Sequence, residues 1–345
     1  MSIHPDRPLK IVGAPGSPYS RKLRAVLRYR RVPHHWVVRG AHADLDTPKT
    51  PVALLPVLVF PGQDGAPDEA AIDSTPLIRR LEGAHAGRSV IPEDPAMAFL
   101  DALLEDYGDE WVTKMMFHYR WSYEPDIDKS AKILPLWRGT NRPDSEVAGL
   151  SKLFAERQIE RLWVVGSNAT TGPVIEASYR RLLELLDAHL TEHAFVLGSR
   201  PSSCDFALYG QLTQLAAFDP TPSAVAFETS PRVIAWLDLV EDLSGLAVDH
   251  ESWIARDAIP PTLRALVAEV GRVYAPFLLA NAAALESGAE QVDCVIDDCK
   301  WTQKPFPYQG KCLAALRDAY GALADADREA VDAVLAGTGC EGLFA

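Results

Sequence analysis

The chain has 345 residues, of which 48% are hydrophobic and 23% charged, enough apolar material for a full core and too much for a disordered chain. Its 34 Lys and Arg against 47 Asp and Glu leave a formal charge of −13, which argues against a nucleic-acid backbone or an anionic membrane surface as partner. Mean hydropathy is −0.05, and no apolar run approaches the roughly 20 residues of a membrane-spanning helix.

The first ninety residues alternate strand and helix patterns. Leu9, Ile11 and Val12 form a strand closed by Gly13, and Ser17-Pro18 reads as an N-cap followed by the first helical position. Leu23, Val26 and Leu27 supply an apolar stripe at helical spacing. Strands follow over 35–38, 57–60 and 70–72, and Asp73-Ser74-Thr75-Pro76 opens a second helix. Gly and Pro then punctuate a linker over 84–96, after which helical periodicity dominates at 97–121, 145–165, 174–190, 203–215, 231–243, 261–285, 310–320 and 325–335. The expected architecture is α+β, a small α/β domain over 1–84 followed by a large all-α part from 97 on. Residues 1–7 include polar residues and a proline where a signal peptide needs an apolar core. A soluble, cytoplasmic protein is expected.

The five cysteines, Cys204, Cys294, Cys299, Cys312 and Cys340, are odd in number and irregular in spacing, which is no disulfide framework. No CxxC or HExxH occurs, so no metal site is expected.

Pro56 lies between Ala53-Leu54-Leu55 and a β-branched strand, a place for a strand start or a cis turn. The succession of strand, Ser-Pro helix start, Leu55-Pro56-Val57-Leu58 and Asp73-Ser74-Thr75 resembles the thioredoxin-like half of the cytosolic glutathione transferases. Further on, Gly198-Ser199-Arg200-Pro201-Ser202-Ser203-Cys204-Asp205 is similar to that family's Gly-x-x-Pro-Ser-x-x-Asp signature. Physically it is a helix cap, with Ser202 and Asp205 exchanging bonds across the first turn. The resemblance covers residues 9–245 and so implies an all-α domain over 97–245, with 246–345 a helical extension past a usual family member.

The resemblance implies that Ser17 activates the thiol of glutathione, with Ser20 and Tyr19 as alternative catalytic hydroxyls. Chemistry supports a hydroxyl at a helix start independently. A thiol near pKa 8.5 is mostly protonated at neutral pH, and only the thiolate attacks. One charge-assisted hydrogen bond plus a helix N-terminus matches the roughly 2.7 kcal/mol needed to lower that pKa by two units. Thiol–disulfide exchange is disfavoured, because positions 17 and 20 are serines and every cysteine follows residue 203.

The resemblance also implies that the Leu55 backbone pairs with the cysteinyl part of glutathione beside Pro56. Asp73 and Ser74 would hold the γ-glutamyl end at a helix start. A polar residue often found two places before the proline is replaced by Leu54. Six basic residues, Arg21, Lys22, Arg24, Arg28, Arg30 and Arg31, cluster on the first helix, either as a solvated face or as a positive rim for anionic glutathione. Tyr107, Trp111, Met115 and His118 recur at three- or four-residue spacing. The resemblance places the helix that carries them opposite the glutathione site and so implies that they line an electrophile pocket, with core packing as the alternative. The segment 301–308, with Phe306 between two prolines, reads as an ordered aromatic loop packed on the body of the protein or folded over the site.

The implied function is transfer of glutathione, as co-substrate, to a small apolar electrophile. The alternatives are a glutathione-dependent lyase, dehalogenase or isomerase, and a binding protein of the same fold without turnover. A homodimer is expected.

Overall fold

The first layer is built from short β-branched and apolar strands: β1 (Leu9–Gly13), β2 (His34–Val38), β3 (Val57–Phe60) and β4 (Glu69–Ile72). The computed structural model describes residues 6–62, 66–247 and 253–345. Residues 1–5, read above as lacking a signal-like core, and 248–252, near the start of the expected extension, lie outside them. The strands run in the order β2-β1-β3-β4, with β1 and β2 parallel and the other pairs antiparallel. Side-chain alternation sorts the two faces. Leu9, Ile11, Leu58 and Phe60 join a core with Leu23, Val26, Leu77 and Leu81 from α1 (Pro18–Tyr29) and α2 (Ser74–Ala84). Val12, Val37, Val57 and Val59 cluster separately on the opposite face. This is the expected thioredoxin-like α/β domain, and the Leu55–Pro56 bond is cis.

A helical domain follows. The stripe at 97–121 is two helices, α3 (Pro95–Glu110) and α4 (Val112–Ser122), joined at Trp111. After them come α5 (Glu124–Leu136), α6 (Asp144–Ile159), α7 (Gly172–His189), α8 (Ser203–Leu212), α9 (Pro220–Thr229) and α10 (Pro231–Val240). Periodicity missed α5 and α9. The apolar residues of α5 bunch at its C-terminal end, and Pro220 and Pro222 of α9 mimic a loop although Pro fits a first helical turn. The signature before α8 is the expected cap: the Asp205 carboxylate accepts from the Ser202 N–H at 2.9 Å and the Val196 N–H at 2.8 Å. Beyond α8 the backbone widens into a π-helical turn over Thr213–Phe218. Helix α8 packs against both α1 and α3 and so ties the two domains together.

The extension packs on the helical domain, as its amphipathic spacing suggests. Helix α11 (Pro261–Glu269) lies against α7, while α13 (Pro307–Gly321) and α14 (Asp325–Leu335) lie against α3. It is not wholly helical. After α12 (Ala275–Ser287), a hairpin of β5 (Val292–Ile296) and β6 (Cys299–Gln303) turns on Asp297-Asp298, both at positive φ (51° and 59°). Two residues at positive φ make a two-residue hairpin turn. Asp-Asp is a weak signal for it compared with Asn-Gly. The hairpin carries the fully buried Trp301 onto Trp111 and Phe277.

Candidate active site

The β1–α1 turn is positioned by buried polar contacts rather than by its own short loop. Ser17 is the N-cap of α1, and its Oγ accepts from the Ser20 N–H at 3.3 Å. The hydroxyl hydrogen of Ser17 has no protein acceptor among the described residues, and the side chain lines a cavity of about 530 Å³. From α4, Arg120 donates to the Gly16 carbonyl at 3.1 Å, and Gln214 donates to the Pro15 carbonyl at 3.3 Å. Arg120 is itself held by the buried Asp219 carboxylate at 2.9–3.0 Å and by Gln214 Oε1 at 2.8 Å. The π-helical turn therefore aims Gln214 and Asp219 at the cation that fixes the Ser17 loop. A side chain at Gly16 would collide with Leu134 and Trp137, so only Gly lets α5 cover this turn so closely.

The other two hydroxyls are placed differently, one behind the turn and one already donating. Ser20 is fully buried behind the turn, where its Oγ accepts from the Ala14 N–H at 3.3 Å and a Cβ at Gly13 would strike it. Tyr19 faces the cavity but donates to the Asp109 carbonyl at 2.9 Å. Burial, then Glu110 and Asp109, push its phenol well above the ordinary range, so it keeps its proton.

Leu55 lies on the same cavity wall as Ser17, and its backbone N–H and C=O make no protein hydrogen bond among the described residues. It also lines a second cavity of about 460 Å³, which shares Tyr19, Leu54, Thr113, Phe117 and Arg161 with the first. We treat the two as lobes of one cleft. The second lobe contains Asp73 and Ser74. Asp73 sits at φ 78°, does not cap α2, and accepts from the Tyr308 hydroxyl at 2.8 Å. Thus the aromatic segment of the extension does reach the site. Trp301 itself belongs to β6 and Tyr308 to α13, so the segment is not one loop.

Two expectations need correction. Tyr107, Trp111, Met115 and His118 do not line the cleft. Tyr107 and Trp111 are buried against Tyr274 of the extension, and Met115 is fully buried. His118 is bonded to Ser167 at 2.7 Å and to Glu176 at 3.1 Å on another face. The cleft instead meets Thr113, Met116, Phe117, Arg120 and Trp121. The aromatic stripe is the one the extension covers, and an apolar stripe alone does not distinguish a core from a cavity wall. The basic residues of α1 are not a rim either. Arg21, Arg24 and Arg28 close on Glu241 at 3.1, 2.6 and 2.6 Å, while Lys22 and Arg30 are buried. Lys22 bonds Glu105 at 2.7 Å and also Asp109. The cations on the Ser17 lobe come from elsewhere: Arg39, Arg120, Arg138, Arg157 and Arg161. No sequence period marks them, because they lie on four separate segments.

Helix α3 carries a run of buried acids beside the second lobe. Burial works against Glu105, but Arg79 and Lys22 hold it down to about 2. Burial pushes Glu110 up to about 8, helped by Asp106 and Asp109. Burial also lowers Lys114 to about 7. Asp106 is pushed up to about 7 by burial, against the hydrogen bond from Tyr274. An acid whose pKa rises on folding binds more protons folded than unfolded between its two pKa values, so its contribution to stability falls as pH rises through that window. Asp106→Asn is therefore expected to gain stability relative to wild type as pH rises from about 4 to about 7, the interval between the ordinary and shifted values. Urea midpoints of both proteins at several pH values check this, and parallel curves would show that Asp106 does not titrate there.

Residues 11–89 match the family model described as glutathione S-transferase, N-terminal domain, and residues 156–239 match that of glutathione S-transferase, C-terminal domain. No curated protein matches the chain. Among solved structures it is similar to a glutathione S-transferase of Methylobacterium radiotolerans in complex with glutathione sulfonate, at 17% identity, covering 71% of this chain and 99% of that one with a TM-score of 0.35. A glutathione transferase family member from Pseudomonas fluorescens with two glutathione bound is 16% identical, covering 76% and 93% at a TM-score of 0.36. FzlA from C. crescentus is also 16% identical, covering 76% and 92% at 0.43.

Proposed function

The chain belongs to the glutathione S-transferase family, and on that premise we propose that it binds glutathione along the cleft and joins its sulfur to a small apolar electrophile, with Ser17 stabilising the thiolate. The observation that carries this reading is the Ser17 hydroxyl, capping α1 through its oxygen while its hydrogen is left for the cavity shared with Leu55. In that arrangement the thiol releases its proton to solvent and the thiolate accepts from Ser17 at the positive end of α1. The sulfur then forms the C–S bond, and in a substitution the leaving group departs with its electron pair.

Leu55 offers backbone groups to the cysteinyl part, and Asp73 with Ser74 at the start of α2 receives the γ-glutamyl end. The polar contact absent at Leu54 has substitutes in Arg39 and Arg138, which line the same lobe. Met116, Phe117 and Trp121 give the electrophile an apolar wall. Retention on immobilised glutathione, followed by product analysis with haloaromatic, epoxide and aryl-ether substrates, tests the reading. No retention sinks it. Retention with turnover but without a conjugate would assign a lyase, dehalogenase or isomerase, and retention without turnover a binding protein.

The family pattern also supports a homodimer, since a two-fold pair is the commonest soluble oligomer and the extension packs on α3 and α7 of its own chain. Light scattering of the intact protein is expected to report twice 37.8 kDa. A monomer that pairs only after truncation near residue 245 would place the extension on the interface instead.

A further inference from the structure

A second group of chemically competent side chains lies away from the cleft, around His118 of α4. The buried imidazole has both ring nitrogens engaged, Nδ1 with the Ser167 hydroxyl at 2.7 Å and Nε2 with Glu176 Oε1 at 3.1 Å. A carboxylate only accepts, so Nε2 carries the hydrogen and Nδ1 keeps the lone pair that receives the Ser167 proton. Glu176, on α7, is itself held by the Tyr123 hydroxyl. Burial pushes His118 below the ordinary imidazole range, against the pull of Glu176, so the ring is a neutral base at pH 7. Hydroxyl, imidazole and carboxylate thus stand in the order that activates a serine nucleophile. That order is recognised by geometry and not by position in the chain.

Tertiary structure holds the group from several sides. Ser167 stands between a 3-10 turn over Leu162–Val165 and the start of α7. After it, Asn168 Oδ1 accepts from the Thr171 N–H at 3.1 Å, and Thr171 Oγ1 accepts from the Asn168 N–H at 3.0 Å. Before it, Gln303 of the β5–β6 hairpin donates to the Val164 carbonyl at 2.6 Å. Gly172 lets α7 start against the imidazole, where a Cβ would be 3.1 Å from its Cε1. A polar network that served packing alone needs no cavity, yet Ser167 and His118 line one of about 520 Å³. Ile127, Leu162 and Pro173 give it apolar walls, and of its lining residues only Trp121 is shared with the cleft. Ala169 lies on the same wall. Its N–H makes no protein hydrogen bond among the described residues and is a donor for an oxyanion.

We propose that Ser167, His118 and Glu176 form a second, glutathione-independent site that hydrolyses small apolar carboxylic esters. Ser167 Oγ bonds to the acyl carbon as its proton passes to His118 Nδ1. The C–O bond to the alcohol breaks with its electron pair on the departing oxygen, which takes the proton from His118. Water then repeats the sequence on the acyl-serine, releasing the acid and restoring the hydroxyl. The site makes no use of Ser17, so the proposal stands apart from the glutathione reading.

Diisopropyl fluorophosphate, which phosphorylates activated serines with loss of fluoride, is the first probe. Intact mass of the full-length protein is expected to show one adduct, and peptide mapping to place it on Ser167. Hydrolysis of 4-nitrophenyl butyrate in the absence of glutathione is the second. Its rate is expected to fall about 100-fold or more in Ser167→Ala and about tenfold or more in Glu176→Gln. Melting temperature and retention on immobilised glutathione, recorded alongside, should be unchanged in Ser167→Ala. Ser122, whose hydroxyl is 3.4 Å from His118 Nδ1, is the rival nucleophile, and Ser122→Ala is expected to keep both rate and adduct. An adduct on another residue in place of Ser167, or ester hydrolysis that survives in Ser167→Ala, would overturn the assignment. So would folded wild type that takes no adduct or turns over no ester, a result that needs no variant.

Discussion

Ser17→Ala is expected to lower kcat/KM for conjugation by about 10- to 100-fold, the rate equivalent of one hydrogen bond to a charged group, with a much smaller change in glutathione affinity. The asymmetry follows from where the bond matters. In the thiol state the Ser17 hydroxyl has little to gain from a neutral sulfur, whereas the thiolate is a charged acceptor at the start of α1. The loss thus falls on the reacting form of the bound peptide. The thiolate absorbance of the bound peptide, titrated against pH, should shift its midpoint upward in the variant. Capping is a separate contribution: Ser17 accepts from the Ser20 N–H, so the variant also loses about 1 kcal/mol of stability. Ser17→Gly costs only a few tenths at a cap and should be as impaired in rate, which separates the two roles. If Ser20→Ala were the crippling change and Ser17→Ala silent, the assignment would be wrong, and the thiolate would have to sit on the other side of the turn.

Arg120→Met is expected to destabilise the protein by about 3–5 kcal/mol, the usual cost of stranding one partner of a buried ion pair. Arg120 is 3% exposed and Asp219 is fully buried, with both guanidinium and carboxylate committed to each other. Native stability is commonly about 5–15 kcal/mol, so one such change removes a large share of it. Burial already pushes the Asp219 carboxyl up, with Arg120 the main opposing influence. Without the arginine, Asp219 can escape its penalty by taking a proton, so the loss should be smaller at pH 5 than at pH 8. Adding Asp219→Leu to the variant should restore part of the stability, since an apolar pair often replaces a buried ionic one without loss. Chemical denaturation of the three proteins at both pH values decides it. A loss that does not vary with pH would show that the two groups are not coupled. The single variant also removes the donor that holds the Gly16 carbonyl, so its turnover should fall further than its glutathione binding.

Sequence by itself determined the local geometry. Ser17-Pro18 specified a capped helix after a strand because Pro fits only the first turn, and it placed a hydroxyl that faces the cleft without a protein acceptor among the described residues. Ser202 and Asp205 specified the cap of α8, and Leu55-Pro56 specified the cavity wall beside Ser17. These features depend on neighbours within a few residues, so spacing carries them. Tertiary packing decided what each helix face meets. Periodicity put Tyr107, Trp111 and Met115 on one side of the 97–121 segment correctly enough, but the break at Trp111 and the covering residues Tyr274, Phe277 and Trp301 turned that side into core. Nothing local to α1 reveals that Glu241, more than two hundred residues away, gathers its arginines. Tyr308 reaches Asp73 across a comparable distance, through a hairpin whose Asp-Asp turn hardly announces itself. A repeat in the chain states which residues share a face, whereas the identity of what that face touches is set by long-range packing, and the same apolar stripe serves a core or a cavity wall.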